Sequence, residues 1–203
     1  MAAQPAQRID PREALLDAAE RLLVEVGYAE ISARRLAKEA GVNLGLVHYH
    51  FGSMENLFVE ALERFTARLT ERQKALYAKD EPFIDKWRTA MDYLVGTDLS
   101  SGYEKVWLEL QAMAWNRPEL GKQLARVNAR WRAVLTKAFT EAVREYRLDP
   151  EQVPLEALVS LVMTFNQGVM LERHGGVFAG HRELLAWIDQ WLEGLERRKG
   201  TRA

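Results

Sequence analysis

The 203-residue chain contains no cysteine. That excludes disulfides, thiolate zinc sites and a cysteine nucleophile, and it fits a reducing compartment, so the cytoplasm is the expected setting. There is no run of roughly 18 uncharged apolar residues, so no membrane span is expected. The opening residues, MAAQPAQRID, lack the apolar stretch of a secretory signal. No charge excess is present either. The net charge is -1. The first 56 residues hold the bases Arg8, Arg12, Arg21, Arg34, Arg35 and Lys38 against the acids Asp10, Glu13, Asp17, Glu20, Glu25, Glu30, Glu39 and Glu55. Composition alone therefore does not point to nucleic acid; such a reading has to rest on where the charges sit. Period-2 alternation of useful length is missing, and no sheet is expected. Also missing are a nucleophile–base pair, a phosphate loop and a metal-ligand cluster. No enzymatic activity, cofactor or metal is expected on that basis.

What the chain does have is 48% apolar residues, enough for a core, arranged at helical spacing throughout. Asp10, Pro11 and Glu13 form an N-terminal capping signature, and Leu15, Ala19, Leu22, Leu23 and Val26 follow on one face. Gly27 stops that helix. Ser32 caps a short second helix that ends at Gly41. Asn43 caps a short third one reaching about Phe51, and after Gly52, Ser53 caps a long fourth helix to about Ala78. Longer helices are expected from Pro82 to about Gly96, from the capping box Ser101–Glu104 to about Trp115, from Asn116 to about Arg147, from Pro154 to about Arg173 and from His181 to about Arg197. The ends, residues 1–8 and 199–203, are expected to be disordered. The fold class is all-α, with about nine helices: a three-helix head over residues 9–52 and a larger helical-bundle body over residues 53–198.

The head carries the chemistry. A short helix, then Gly41-Val42-Asn43, then another short helix is a helix-turn-helix pattern, in which the glycine allows a positive φ and Asn43 satisfies free N–H groups. At 100° per residue, Val47 and Phe51 turn inward. Gly45 and Tyr49 fall on the opposite side, flanked by Leu46 and His48, with Leu44 and His50 at the margins. A glycine inside a short helix costs about 0.5–1 kcal/mol, which makes sense where something must approach the backbone closely. Tyr49 and His48 are expected to donate to phosphate oxygens, and Leu46 to touch a thymine methyl. Ser32, Arg34 and Arg35 offer N–H groups and cations to phosphates at the start of the second helix. His48 and His50 are two residues apart and point in different directions, which makes them poor joint metal ligands.

From Asp10 to Leu57 the chain resembles the DNA-binding domain of the TetR family of transcriptional regulators. Ser32, Leu36-Ala37, Ala40-Gly41-Val42, Asn43, Gly45, Tyr49, Phe51, Ser53, Glu55 and Leu57 carry the resemblance in order and spacing, over about a quarter of the chain. Two positions depart from the pattern: His48 stands where the family usually has tyrosine, and Met54 where it usually has a phosphate-binding lysine. The resemblance implies a homodimeric, sequence-specific regulator, a repressor that leaves its palindromic double-stranded operator when a small effector binds. The DNA contacts it implies are Ser32, Arg34, Arg35, Asn43, Leu44, Gly45, Leu46, His48, Tyr49 and Ser53. The alternative is a helical small-molecule-binding or scaffold protein whose head does not read DNA.

Two further sets belong to the body. Leu158, Val162 and Val169 on one late helix and Leu184, Trp187, Ile188 and Trp191 on the other are expected to form a four-helix dimer interface. Trp87, Met91, Leu94, Trp107, Leu110, Met113, Trp115, Phe139, Phe165 and Met170, with Asn166 and Arg173 as polar anchors, are candidates for a pocket taking an apolar or aromatic effector. His174 and His181 are read as solvated loop residues.

Overall fold

The computed structural model describes residues 10–95 and 102–201, without the side chains of Leu94, Val95 and Thr201. The expectations for residues 1–8, for Ser101 as a cap and for the Leu94 side chain fall outside these residues. Nine α-helices and no strand occur among the described residues: α1 (Pro11–Glu25), α2 (Ala33–Ala40), α3 (Gly45–Phe51), α4 (Met54–Tyr77), α5 (Phe83–Val95), α6 (Tyr103–Ala114), α7 (Pro118–Tyr146), α8 (Leu155–His174) and α9 (His181–Thr201). One 3₁₀ turn, Tyr28–Glu30, joins α1 to α2.

The helix starts follow from short polar side chains. Asp10 accepts from the Arg12 N–H at 2.9 Å, Ser32 from the Arg35 N–H at 3.2 Å, and Ser53 from the Asn56 N–H at 3.1 Å. Each satisfies a donor that has no partner within its helix, worth about 1 kcal/mol. Glu13 does not reach back to the α1 cap, as the capping signature suggested. Its carboxylate lies 3.4 Å from Arg12 and 3.4 Å from Arg64 instead. α6 begins at Gly102, which has φ 68° and no side-chain cap. A Cβ there would lie 2.2 Å from Val24 Cγ2, so only glycine lets the start of α6 come this close to α1. α9 runs to Thr201, beyond the expected end at Arg197, so residues 199–201 are helical. Lys199 Nζ lies 2.8 Å from the Glu145 carboxylate and ties down that last turn.

Contacts divide the described residues into two compact units, 10–66 with 102–125, and 67–95 with 126–201. In the first, α1 packs on α2, α3 and α6, and α2 packs on α3. Leu15, Leu16, Leu23, Leu36, Val47, Leu57, Phe58, Leu62, Val106 and Leu110 are fully buried there, each contributing about 1.5–3 kcal/mol of burial. Arg64 on α4 reaches three acids of α1: Asp17 at 2.7 Å, Glu20 at 3.2 Å and Glu13.

The second unit is built on aromatic contacts. Phe83 lies 5.6 Å from Phe139 and 6.3 Å from Tyr146 between ring centroids, and Trp87 lies 6.3 Å from Phe139. Burial raises the Tyr77 phenol to about 12. α5 packs on α9, where Arg88 grips Asp189 with two bonds of 2.7 and 2.9 Å and also reaches Glu193 at 2.9 Å. His181 is buried rather than solvated: its Nε2 lies 2.5 Å from Glu172 Oε2, across the turn from α8 to α9.

Candidate nucleic-acid interface and apolar cavity

Gly41 leaves α2 in the left-handed conformation, φ 66° and ψ 30°. The Val42 N–H then donates to the Ala37 carbonyl at 3.0 Å, closing the helix end. Asn43 Oδ1 accepts from the Gly45 N–H at 3.0 Å and starts α3. Val47 and Phe51 are buried, as the helical wheel requires, and the Arg12 guanidinium sits 5.4 Å from the centre of the Phe51 ring. Gly45, His48 and Tyr49 are exposed, Tyr49 to 80%, as is Leu44; Leu46 and His50 are half-buried. The outward face of α3 is therefore the one expected from the spacing. The start of α4 is tied to the end of α3 by Asn56, whose Nδ2 donates to the Phe51 carbonyl at 3.0 Å while its Oδ1 accepts from Gln123 at 3.2 Å.

The positive charges of the head, with Arg64 of α4, fall into two groups. Arg12, Arg21 and Arg64 are held by carboxylates: Glu60 and Glu13, then Glu39, then the three acids of α1. Arg34 and Lys38 on α2 are exposed and pair with no carboxylate among the described residues, and Arg35 reaches only the Glu30 carbonyl, at 3.4 Å. A near-neutral head thus presents uncompensated charge on α2, next to the exposed face of α3. Beside Met54, where no lysine is available, Arg117 at the start of α7 pairs with Glu55. The Glu55 carboxyl is held below its ordinary value, first by its own backbone N–H at the start of α4 and then by Arg117.

In the second unit, a cavity of about 420 Å³ brings together Trp87, Phe139 and Phe165 with Phe83, Leu158, Val162, Ile188 and Leu192. Among the described residues, no charged side chain lines it. The Tyr146 hydroxyl in its lining accepts from the Ile84 N–H at 3.2 Å; burial, with Glu196 and Glu145 nearby, pushes its phenol up. The remaining candidates lie elsewhere. Trp107 and Leu110 are buried in the first unit, which also contains Met113. Met91 is in the core of the second unit, and Asn166, Met170 and Arg173 do not line the cavity. A larger groove of about 750 Å³ between α4 and α7 is lined by alanines and by Glu71, Lys74, Arg130, Lys137 and Glu141, and by none of the expected pocket residues.

α8 also sorts differently from its sequence reading. Val162 and Val169 are buried inside the protomer and are not available to a second copy. The exposed side of α8 carries Leu161 at 66% and Leu171 at 62%, interspersed with Ala157, Thr164 and Gly168. On α9, Leu184, Trp187 and Trp191 are exposed, Trp187 to 65%, while Leu158 and Ile188 are half-buried. Leu161, Leu184, Trp187 and Trp191 also line the cavity, so its rim and the exposed apolar face are the same surface.

A helix-turn-helix head with an exposed reading face, joined to a helical body with an apolar cavity, defines the class: an all-α helix-turn-helix protein of two compact units. Residues 15–61 match the family described as bacterial regulatory proteins, tetR family. The chain is 30% identical over 130 residues to the HTH-type transcriptional regulator BetI of Stenotrophomonas maltophilia, a match covering 61% of this chain and 65% of BetI. It is 37% identical over 60 residues to the HTH-type transcriptional repressor AcnR of Corynebacterium glutamicum, covering 30% of this chain and 32% of AcnR. The match thus spans just under two thirds of BetI and about a third of AcnR. Among solved structures, the regulator FadR of Bacillus subtilis, in complex with stearoyl-CoA, superposes with a TM-score of 0.67 at 19% identity, covering 90% of this chain and 96% of that one. Residues 15–61 thus form a tetR-family helix-turn-helix domain, and the fold of the chain resembles that of such regulators. Among the described residues, no helix is long and apolar enough to cross a membrane.

Proposed function

We propose that the protein is a sequence-specific DNA-binding transcriptional regulator, a repressor, whose head (residues 9–52) reads an operator and whose body (residues 53–198) dimerises and binds an effector. The observation that carries this reading is the outward face of α3. Gly45, His48 and Tyr49 stand exposed on a short helix fixed by the Gly41 turn, beside α2 cations that no carboxylate among the described residues neutralises. A major groove accepts such a helix, Tyr49 has a hydroxyl to donate, and Arg34, Arg35 and Lys38 suit phosphates. The curated relatives BetI and AcnR are themselves a transcriptional regulator and a transcriptional repressor. The alternative of a scaffold without DNA binding has only Met54 and the low net charge of the head in its favour.

A homodimer covers the apolar face of α8 and α9, chiefly Leu161, Leu171, Leu184, Trp187 and Trp191, and sets two reading helices about 34–36 Å apart on a palindrome. The effector is an uncharged apolar or aromatic molecule held in the cavity around Trp87, Phe139 and Phe165. Because the rim of that cavity is also the dimer face, a guest there shifts the equilibrium between two pairings of the protomers, which lowers operator affinity. Selection from a random duplex library, followed by fluorescence anisotropy across a salt series, tests the reading. A single palindromic motif whose log affinity falls linearly with log salt is expected. Failure to enrich any motif, or affinity that does not respond to salt, would overturn it.

A further inference from the structure

His48 is exposed on the reading face of α3, and its Nδ1 lies 3.1 Å from the Gly52 carbonyl oxygen. A carbonyl oxygen only accepts hydrogen bonds, so Nδ1 has to carry the proton. In the uncharged ring the other nitrogen, Nε2, is then an acceptor, and no protein group bonds to it among the described residues. Phosphate oxygens are acceptors too, so this tautomer has nothing to offer them. In this tautomer His48 has an acceptor to present, where Tyr49 has a donor. The Gly52 carbonyl that fixes the tautomer is itself fixed: Gly52 has φ 74°, and its N–H donates back to the His48 carbonyl at 2.9 Å. The ring is thus bonded to the end of its own helix, and its acceptor is the group left over.

We propose that His48 is a specificity-determining residue: its Nε2 accepts a hydrogen bond from the exocyclic amino group of one adenine or cytosine in the major groove of each half-site. Only these two bases present an amino donor in that groove. The proposal rests on the DNA-binding reading above. Within that reading it divides the exposed face of α3 by chemistry. Tyr49 supplies a donor and faces acceptors, while His48 supplies an acceptor and faces donors. Gly45 adds no side chain between them and the groove floor.

The test uses the full-length protein at about pH 8 and the motif selected from random duplexes. Each half-site position is changed to the other three base pairs, and affinities are measured for the wild type, H48F and H48A, with thermal melts as a folding control. One position is expected to prefer adenine or cytosine by roughly 2- to 13-fold in the wild type, the worth of one neutral hydrogen bond. Both variants should flatten that preference while the slope of log affinity against log salt stays unchanged. Replacing the preferred adenine by purine, which lacks the amino group, should weaken the wild type but leave H48F unaffected. The proposal is overturned if both variants keep the wild-type preference at every position, or if they lose affinity uniformly with a salt slope shallower by about 1.8, the signature of one lost phosphate contact in each half-site. If the wild type selects no motif, the DNA-binding reading fails and this proposal with it. A motif that His48 variants read unchanged removes this proposal alone.

Discussion

Gly45 separates stability from function, because a side chain there is harmless to the free protein. It lies in the first turn of α3 at ordinary helical φ, and a Cβ would meet only Asn43 Oδ1, at 3.6 Å. That is normal van der Waals contact. Gly45→Ala therefore gains helix propensity without strain, about 0.5–1 kcal/mol, with the lower end applying at a helix start. For a chain of this size that corresponds to a melting temperature higher by roughly 1–4 °C. The position is also exposed at the centre of the reading face, so the added methyl keeps the α3 backbone from the groove. Operator affinity is expected to fall at least about tenfold, or about 1.4 kcal/mol. Differential scanning fluorimetry and anisotropy on the selected operator read the two effects separately. A variant that melts higher and binds as tightly as the wild type would show that the glycine does not serve close approach. One that melts lower would refute the local geometry.

Tyr49→Ala, at a position 80% exposed, should weaken operator binding while leaving the melting temperature and oligomeric state unchanged; a collapse in stability would place Tyr49 in the core. Trp187→Glu puts a charge on the exposed apolar face of α9 and should convert a dimer to monomers in light scattering, and an unchanged mass would exclude that face as the interface. The Arg88 guanidinium holds the Asp189 carboxyl below its ordinary value, so the stability that Asp189 contributes is present above about pH 4 and is lost as pH falls through its lowered value. Asp189→Asn should accordingly cost about 0.5–1 kcal/mol at pH 7, a small figure because both partners are partly exposed. That cost should shrink in acid, and a pH-independent difference in urea midpoints would contradict the assignment.

Most of the fold was legible because local signals agree with one another. Asp10, Ser32, Asn43 and Ser53 mark helix starts, and each accepts the backbone N–H that such a residue should. The inward face of α3 was legible for the same reason, since Val47 and Phe51 are four residues apart while Gly45, His48 and Tyr49 fall on the other side. Sequence failed where a helix is apolar all round. α8 offers Leu158, Leu161, Val162, Val169 and Leu171 on several faces, and periodicity cannot tell which of them the protomer buries. It failed again for the cavity, because grouping Trp87 with Phe139 and Phe165, but not with Trp107 and Leu110, depends on which helices meet, not on residue type. The tautomer of His48 depends on a carbonyl four residues away. No composition or spacing rule carries that information, although the helix-ending Gly52 next to an aromatic run was the available signal.

The division of the head's cations also sets how the protein searches. A regulator spends most of its time among non-target sites, and binding there depends almost entirely on how many phosphates it neutralises. With Arg12 and Arg21 already held by carboxylates, Arg34, Arg35 and Lys38 remain for phosphates among the described residues of each head. The corresponding salt exponent is about −2.7 for each head and roughly −5 for a dimer, against about −10 for a strongly basic binder. Such a head is released quickly from random sequence and is retained only where its base contacts are met. Its selectivity would then come from weak attraction to the wrong DNA as much as from strong attraction to the right one.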